Sequence, residues 1–136
     1  MLSRAHILQA SGREAESREV LERLLASEYA MGKEKAEALY LIGETHMRDS
    51  RPELAIPYFQ RLYVMYGRWR EWVAKAYFRS GEAFEKLNDE LSAYRTYQEL
   101  AEREDLAGFE ESSKARRRLE LLRGRSPQEH APSAEG

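Results

Sequence analysis

The sequence predicts an all-α fold, a solenoid of antiparallel helix hairpins, and three observations carry that prediction. A motif centred on Gly43, in "YLIGETHM", returns 38 residues later around Gly81, in "YFRSGEAFEKL". Each period holds two amphipathic helical patterns separated by turn residues. The balance of 42% hydrophobic and 34% charged residues, with only 8 Gly and 4 Pro in 136, favours ordered helix and leaves most Gly and Pro as punctuation.

The offset extends well beyond the two glycines. Ala38 pairs with Ala76, Leu39 with Tyr77, Tyr40 with Phe78, Ala55 with Ala93, Phe59 with Tyr97 and Leu62 with Leu100. Stepping back by the same interval puts Ala5 in the place of Gly43, Leu8 in that of His46, Ser17 in that of Ala55, Leu21 in that of Phe59 and Leu24 in that of Leu62; stepping forward puts Ala115 in that of Tyr77 and Leu122 in that of Phe84. A glycine inside a helix costs ~1 kcal/mol relative to alanine. Two at the repeat offset therefore mark a point where the helices of one hairpin press together.

The first copy reads as a helix over 2–9, a turn at Ser11 and Gly12, and a second helix over 13–29. In the second copy a helix over about 33–48 is apolar around most of its circumference, as if covered on more than one side. Asp49 or Ser50 is the expected cap of the next helix, Pro52 suits its first turn, and Ala55, Phe59 and Leu62 share one of its faces before Gly67 ends it. Pro57 lies near enough to that start to be tolerated, with a bend. The third copy has helices over about 71–87 and 91–104, joined by "NDE". A closing helix over 108–123 takes the place of a fourth first-helix, and 124–136, without periodicity or large apolar residues, reads as a disordered tail. The helical domain is thus 1–123, with repeats at about 1–31, 32–69 and 70–107.

These positions resemble the tetratricopeptide repeat family: Leu39, Ile42, Gly43, His46, Ala55, Phe59 and Leu62 in the second copy, and Tyr77, Ser80, Gly81, Phe84, Ala93, Tyr97 and Leu100 in the third. The period of 38 exceeds the family's ~34, and in that respect is similar to the lengthened repeats of bacterial envelope-assembly and Tol-Pal-associated members. The resemblance implies a right-handed superhelical solenoid, three repeats and a closing helix, whose first helices line a concave face. It further implies a non-catalytic scaffold that holds a protein or peptide partner in that groove. Carried over by register, the partner-binding positions are Glu37, Tyr40, Leu41, Glu44, Met47 and Arg48 in the second copy and Lys75, Phe78, Arg79, Glu82, Glu85 and Lys86 in the third, with Leu2, His6 and Gln9 in the first. Glu44 and Glu82 stand where chaperone-binding members carry a cationic clamp, which argues against a terminal carboxylate as ligand. Tyr40 and Phe78 have a plainer reading as packing between neighbouring helices.

Other chemistry finds little footing. Glu44 and His46 point to different sides of their helix, so they do not face one metal; His46 reads as core packing. No phosphate loop, HExxH motif or nucleophile elbow is present, and neither an enzyme activity nor a cofactor is expected. The net charge is −2, with both signs dense, and no stretch approaches the ~20 apolar residues of a membrane span, so no membrane insertion is expected. Zero cysteine is compatible with any compartment. The protein is expected to be cytoplasmic if Met1 is the native start and periplasmic if the chain is part of a longer envelope protein.

Three features leave alternatives open. Lys114, Arg116, Arg117, Arg118, Arg123 and Arg125 form a basic cluster that suits nucleic acid or an acidic partner, yet Glu110, Glu111 and Glu120 stand close enough to neutralise it. Trp69 and Trp72 serve either as anchors for a partner or as seals between adjacent hairpins. Leu2, Ile7 and Leu8 make the first helix a poor polar cap, which points either to a homo-oligomer formed through the first hairpin or to continuation into further repeats upstream.

Overall fold

The computed structural model describes residues 2–10 and 12–125. Seven α-helices run through them: α1 (Leu2–Ala10), α2 (Glu14–Ala26), α3 (Gly32–Arg48), α4 (Pro52–Met65), α5 (Arg70–Lys86), α6 (Glu90–Glu102) and α7 (Glu110–Arg125). A 3-10 turn at Glu104–Leu106 separates the last two, and no strand occurs among the described residues. This is an all-helical repeat solenoid.

One device closes each of the three hairpins. Gly12, Ser50 and Asn88 have positive φ, at 76°, 60° and 60°, and the residue after each returns a backbone hydrogen bond to the preceding helix. Those bonds run from Arg13 N–H to Leu8 C=O at 2.8 Å, from Arg51 to His46 at 2.9 Å and from Asp89 to Phe84 at 2.9 Å. A left-handed residue satisfies the last carbonyls of a helix while reversing the chain, which is why a short polar turn suffices.

Several sequence expectations need correction here. Neither Asp49 nor Ser50 caps α4: Asp49 closes α3 and takes Arg18 Nη1 at 2.8 Å, Ser50 is the left-handed residue, and Arg51 opens α4 with no side-chain cap. Asp89 does cap α6, accepting the Ser92 N–H at 3.1 Å. The second helix stops at Ala26 because Ser27 turns extended, and α6 stops at Glu102, where Leu106 folds under as a buried plug. Pro57 sits on the exposed side of an unbroken α4. Gly124 and Arg125 belong to α7 rather than to a tail; the remainder of the expected tail, 126–136, lies outside the described residues.

Each helix packs on its chain neighbours, and the first helices also touch one another: α1 with α3, α3 with α5, α5 with α7. Among the described residues no packing of that extent joins α2 to α4 or α4 to α6. The molecule therefore has a tight inner layer of α1, α3, α5 and α7 and an outer layer of separated helices. The larger core gathers Leu39, Phe59, Leu62, Val73, Tyr97, Leu100, Leu106 and Leu122, and a smaller one at the amino-terminal end gathers Leu8, Leu21, Leu24, Ala38 and Ile42. Full burial of such side chains contributes about 1.5–3 kcal/mol each, so packing rather than helix propensity carries the stability.

The glycines lie where the sequence places the closest approach. A Cβ on Gly43 would stand 2.4 Å from Phe59 Cε1, and one on Gly81 would stand 2.3 Å from Tyr97 Cε1. In both hairpins an aromatic ring of the second helix lies against the backbone of the first.

Candidate functional site

The inner layer carries a chain of hydrogen bonds and ion pairs from helix to helix. His6 Nε2 of α1 lies 3.3 Å from Glu37 of α3, and Glu44 of α3 takes Arg79 of α5 at 2.6 Å. Arg79 also holds Glu82 at 2.7 Å, Lys75 reaches Glu111 of α7 at 3.4 Å, and Glu85 takes the Arg118 Nε at 3.0 Å. Between α3, α5 and α7, Lys75, Arg79, Glu82 and Glu111 surround a cleft of about 250 Å³ with Tyr40, Phe78 and Lys114 in its wall. A second cleft, of about 330 Å³, follows beside Glu82, Glu85, Lys86 and Arg118. Lys114 Nζ sits 5.6 Å from the Phe78 ring centre, which leaves an aromatic face topped by a cation.

Most of the positions expected to meet a partner come together here. Tyr40, Lys75, Phe78, Arg79, Glu82, Glu85 and Lys86 line the two clefts, and Glu44 stands at the rim through Arg79. Glu37 lies farther along the layer with His6. Arg48 points elsewhere, to Glu14 of α2 at 3.1 Å. Leu41 and Met47 are buried, at 8% and 7% exposure, and offer a partner almost no surface. Leu2 packs against the smaller core, and the side chain of Gln9 lies outside the described ones.

Several of these groups are also structural. Tyr40 packs between Phe59 and Trp72, at ring-centre distances of 5.8 and 5.7 Å. Burial, then the charge of Glu44, pushes its hydroxyl well above the ordinary tyrosine range. Tyr97 donates to Glu85 at 2.6 Å, and burial followed by that hydrogen bond raises it too. Glu85 thereby links α5 to α6 and α7 at once. Sequence reasoning missed the part played by Glu111, Lys114 and Arg118 in the inner face. The signal was the position of α7 as a fourth first-helix, which puts one of its faces in the same layer.

Several of the remaining candidates are packed or paired. Within the basic cluster, Lys114 meets Glu110 at 3.0 Å, Arg116 donates to the Ala101 carbonyl at 3.3 Å, Arg118 pairs with Glu85, and Arg123 donates to the Tyr94 hydroxyl at 2.5 Å. Trp69 covers the start of α3, its Nε1 3.1 Å from where a Cβ on Gly32 would stand. His46 stacks on Tyr58, and burial, then the charge of Arg18, lowers its pKa. Among the described residues no three His, Asp or Glu side chains gather to hold a metal, and no helix is long and apolar enough to cross a membrane.

The hairpin of α5 and α6 decides the family likeness. Residues 75–104 match the tetratricopeptide repeat family model. The tetratricopeptide match thus spans the hairpin in which Gly81 receives the Tyr97 ring. No curated protein and no solved structure matches the chain. Tetratricopeptide repeats generally mediate protein–protein interaction.

Proposed function

We propose that the protein is a non-catalytic interaction scaffold, holding a peptide or helix of a protein partner against the inner face of α1, α3, α5 and α7. The observation that carries this reading is the cleft between α3, α5 and α7, lined by Tyr40, Phe78 and charges of both signs, with a second, charged cleft beside Glu82, Glu85, Lys86 and Arg118 adjoining it. Such a lining suits an amphipathic segment with charges of both signs better than a simple anion. The repeat is read as 38 residues long, in units at about 1–31, 32–69 and 70–107 closed by α7. The spacing of Gly12, Ser50 and Asn88, and of the three returning hydrogen bonds beside them, supports that length.

Tyr40 and Phe78 are poor choices for a test, since Tyr40 packs on Phe59 and Phe78 on Tyr97. Glu82 and Lys86 line the clefts without entering the core. Replacing them as Glu82→Lys with Lys86→Glu should weaken retention of a protein partner by about tenfold or more, with the helical circular dichroism unchanged. Undiminished retention by the folded double variant would remove the inner face from consideration.

A further inference from the structure

The outer side of the solenoid carries two related grooves, and the loss of one large side chain at the repeat offset, among three differences there, leaves one of them open. Between α2 and α4 the space is taken by Tyr58: its ring stacks on His46 of α3 with centres 5.6 Å apart, and its hydroxyl donates to Glu22 of α2 at 2.7 Å. Thirty-eight residues on, Thr96 stands in the place of Tyr58, Phe84 in that of His46 and Gln60 in that of Glu22. Thr96 is only 7% exposed, and its hydroxyl turns back to the Ser92 carbonyl at 2.8 Å rather than across to α4. The groove between α4 and α6 accordingly opens to about 430 Å³, with Phe84 at its floor, Tyr63 and Val64 on one wall and Arg95 and Glu99 on the other. Around Pro57, Tyr58 and Arg61 on α4 there is a recess of about 240 Å³.

The same chain presents a side chain of the required kind. Tyr29, in the connection between α2 and α3, is 91% exposed. The corresponding position in the next connection is Gly67, so the repeat does not need an aromatic there for its own packing. Glu28 and Lys33 flank Tyr29, while Arg95 and Glu99 flank the groove. All four are exposed and none forms an ion pair among the described residues, so the two surfaces present complementary charges to each other.

We propose that a second copy of this chain inserts Tyr29 between α4 and α6. The ring stacks over Phe84 as Tyr58 stacks on His46, and Gln60 accepts its hydroxyl as Glu22 accepts that of Tyr58. Knob and groove lie on different parts of the molecule, so the contact is heterologous and continues into a ring or an open chain. The inference rests on the 38-residue register proposed above, and it leaves the inner face free for another partner.

Sedimentation of the full chain over a concentration series reaching the order of 10⁻⁴ M tests it, since one aromatic anchor supports only weak pairing. The expected result is a mass that rises above 15.9 kDa with concentration. Tyr29→Ser and Thr96→Tyr should each lower the association constant by about tenfold or more. The first variant keeps the groove and the second keeps the tyrosine, so an equimolar mixture should recover a one-to-one dimer and go no further. If Thr96→Tyr misfolds, Val64→Glu on the exposed wall serves as the groove variant with the same expectation. A monomeric parent across the series, association untouched by Tyr29→Ser, or a mixture that fails to pair would overturn the proposal. Glu82→Lys with Lys86→Glu should leave self-association intact, so failure of the inner-face reading is read separately.

Discussion

Gly43 and Gly81 sit where a ring of the second helix meets the backbone of the first, and in the first hairpin the corresponding residues are Ala5 and Leu21, both fully buried. The three hairpins thus trade side-chain volume across one contact: glycine faces Phe59 or Tyr97, and alanine accompanies leucine. Gly81→Ala adds a methyl group 2.3 Å from Tyr97 Cε1, against a fully buried ring. Overpacking of that kind costs about 1–3 kcal/mol, more than the ~1 kcal/mol that alanine gains in helix propensity. The variant should unfold at lower urea concentration than the parent. Adding Tyr97→Leu should restore part of the loss, giving a coupling of about 1 kcal/mol or more in a double-mutant cycle. A more stable Gly81→Ala would show that the contact is looser than its geometry.

At the scale of the helices, each unit is tied to the next through a few bridging side chains, and His46 is one of them. It stands on α3, stacks on Tyr58 of α4, and has Arg18 and Glu22 of α2, Asp49 at the end of α3 and Glu53 of α4 around it. Burial and the Arg18 charge hold its pKa below the ordinary histidine value, so the unfolded chain takes up the proton first. Its contribution is therefore complete above the unfolded pKa, near 6.5, and is lost as pH falls through the lower folded value. In the third copy Phe84 occupies this place and cannot titrate. Melting temperatures of the parent and of His46→Phe, compared from about pH 8 down to pH 5, should diverge in favour of the variant as the solution becomes acid. Parallel curves would mean that His46 binds its proton equally in the folded and unfolded states. The helices themselves were legible in the sequence because apolar spacing and turn residues agree. Their ends were less so, since Ser50 serves as a left-handed turn residue and Arg51 starts a helix with no cap. Leu41 and Met47 show a further limit: the 3.6-residue period gives a facing direction, whereas burial depends on how closely the adjoining helices pack around each position.

For the molecule as a whole, a solenoid joins its units mainly through nearest neighbours, so the two ends set how it opens. The carboxy-terminal end is closed by α7, whose Leu119 stands one repeat on from Gly81 and is partly buried on the core, while Arg116, Arg117 and Glu120 face water. Among the described residues the amino-terminal end is formed by the short α1, with Ile7 exposed and a smaller core that contains no aromatic residue among its buried members. Between them, α5 packs on α3, α4, α6 and α7 and carries the ion pairs of Lys75, Arg79 and Glu85. A unit covered on both sides opens only when both interfaces are lost, whereas an end unit opens on losing one. Amide hydrogen exchange in the 136-residue chain should therefore be fastest in α1 and α2, intermediate in α3 and α4, and slowest in α5 and α6, with at least about tenfold separating first from last. Uniform protection across all helices would mean that the hairpins unfold as one unit, and faster exchange in α7 than in α1 would mean that the closing helix does not close the solenoid.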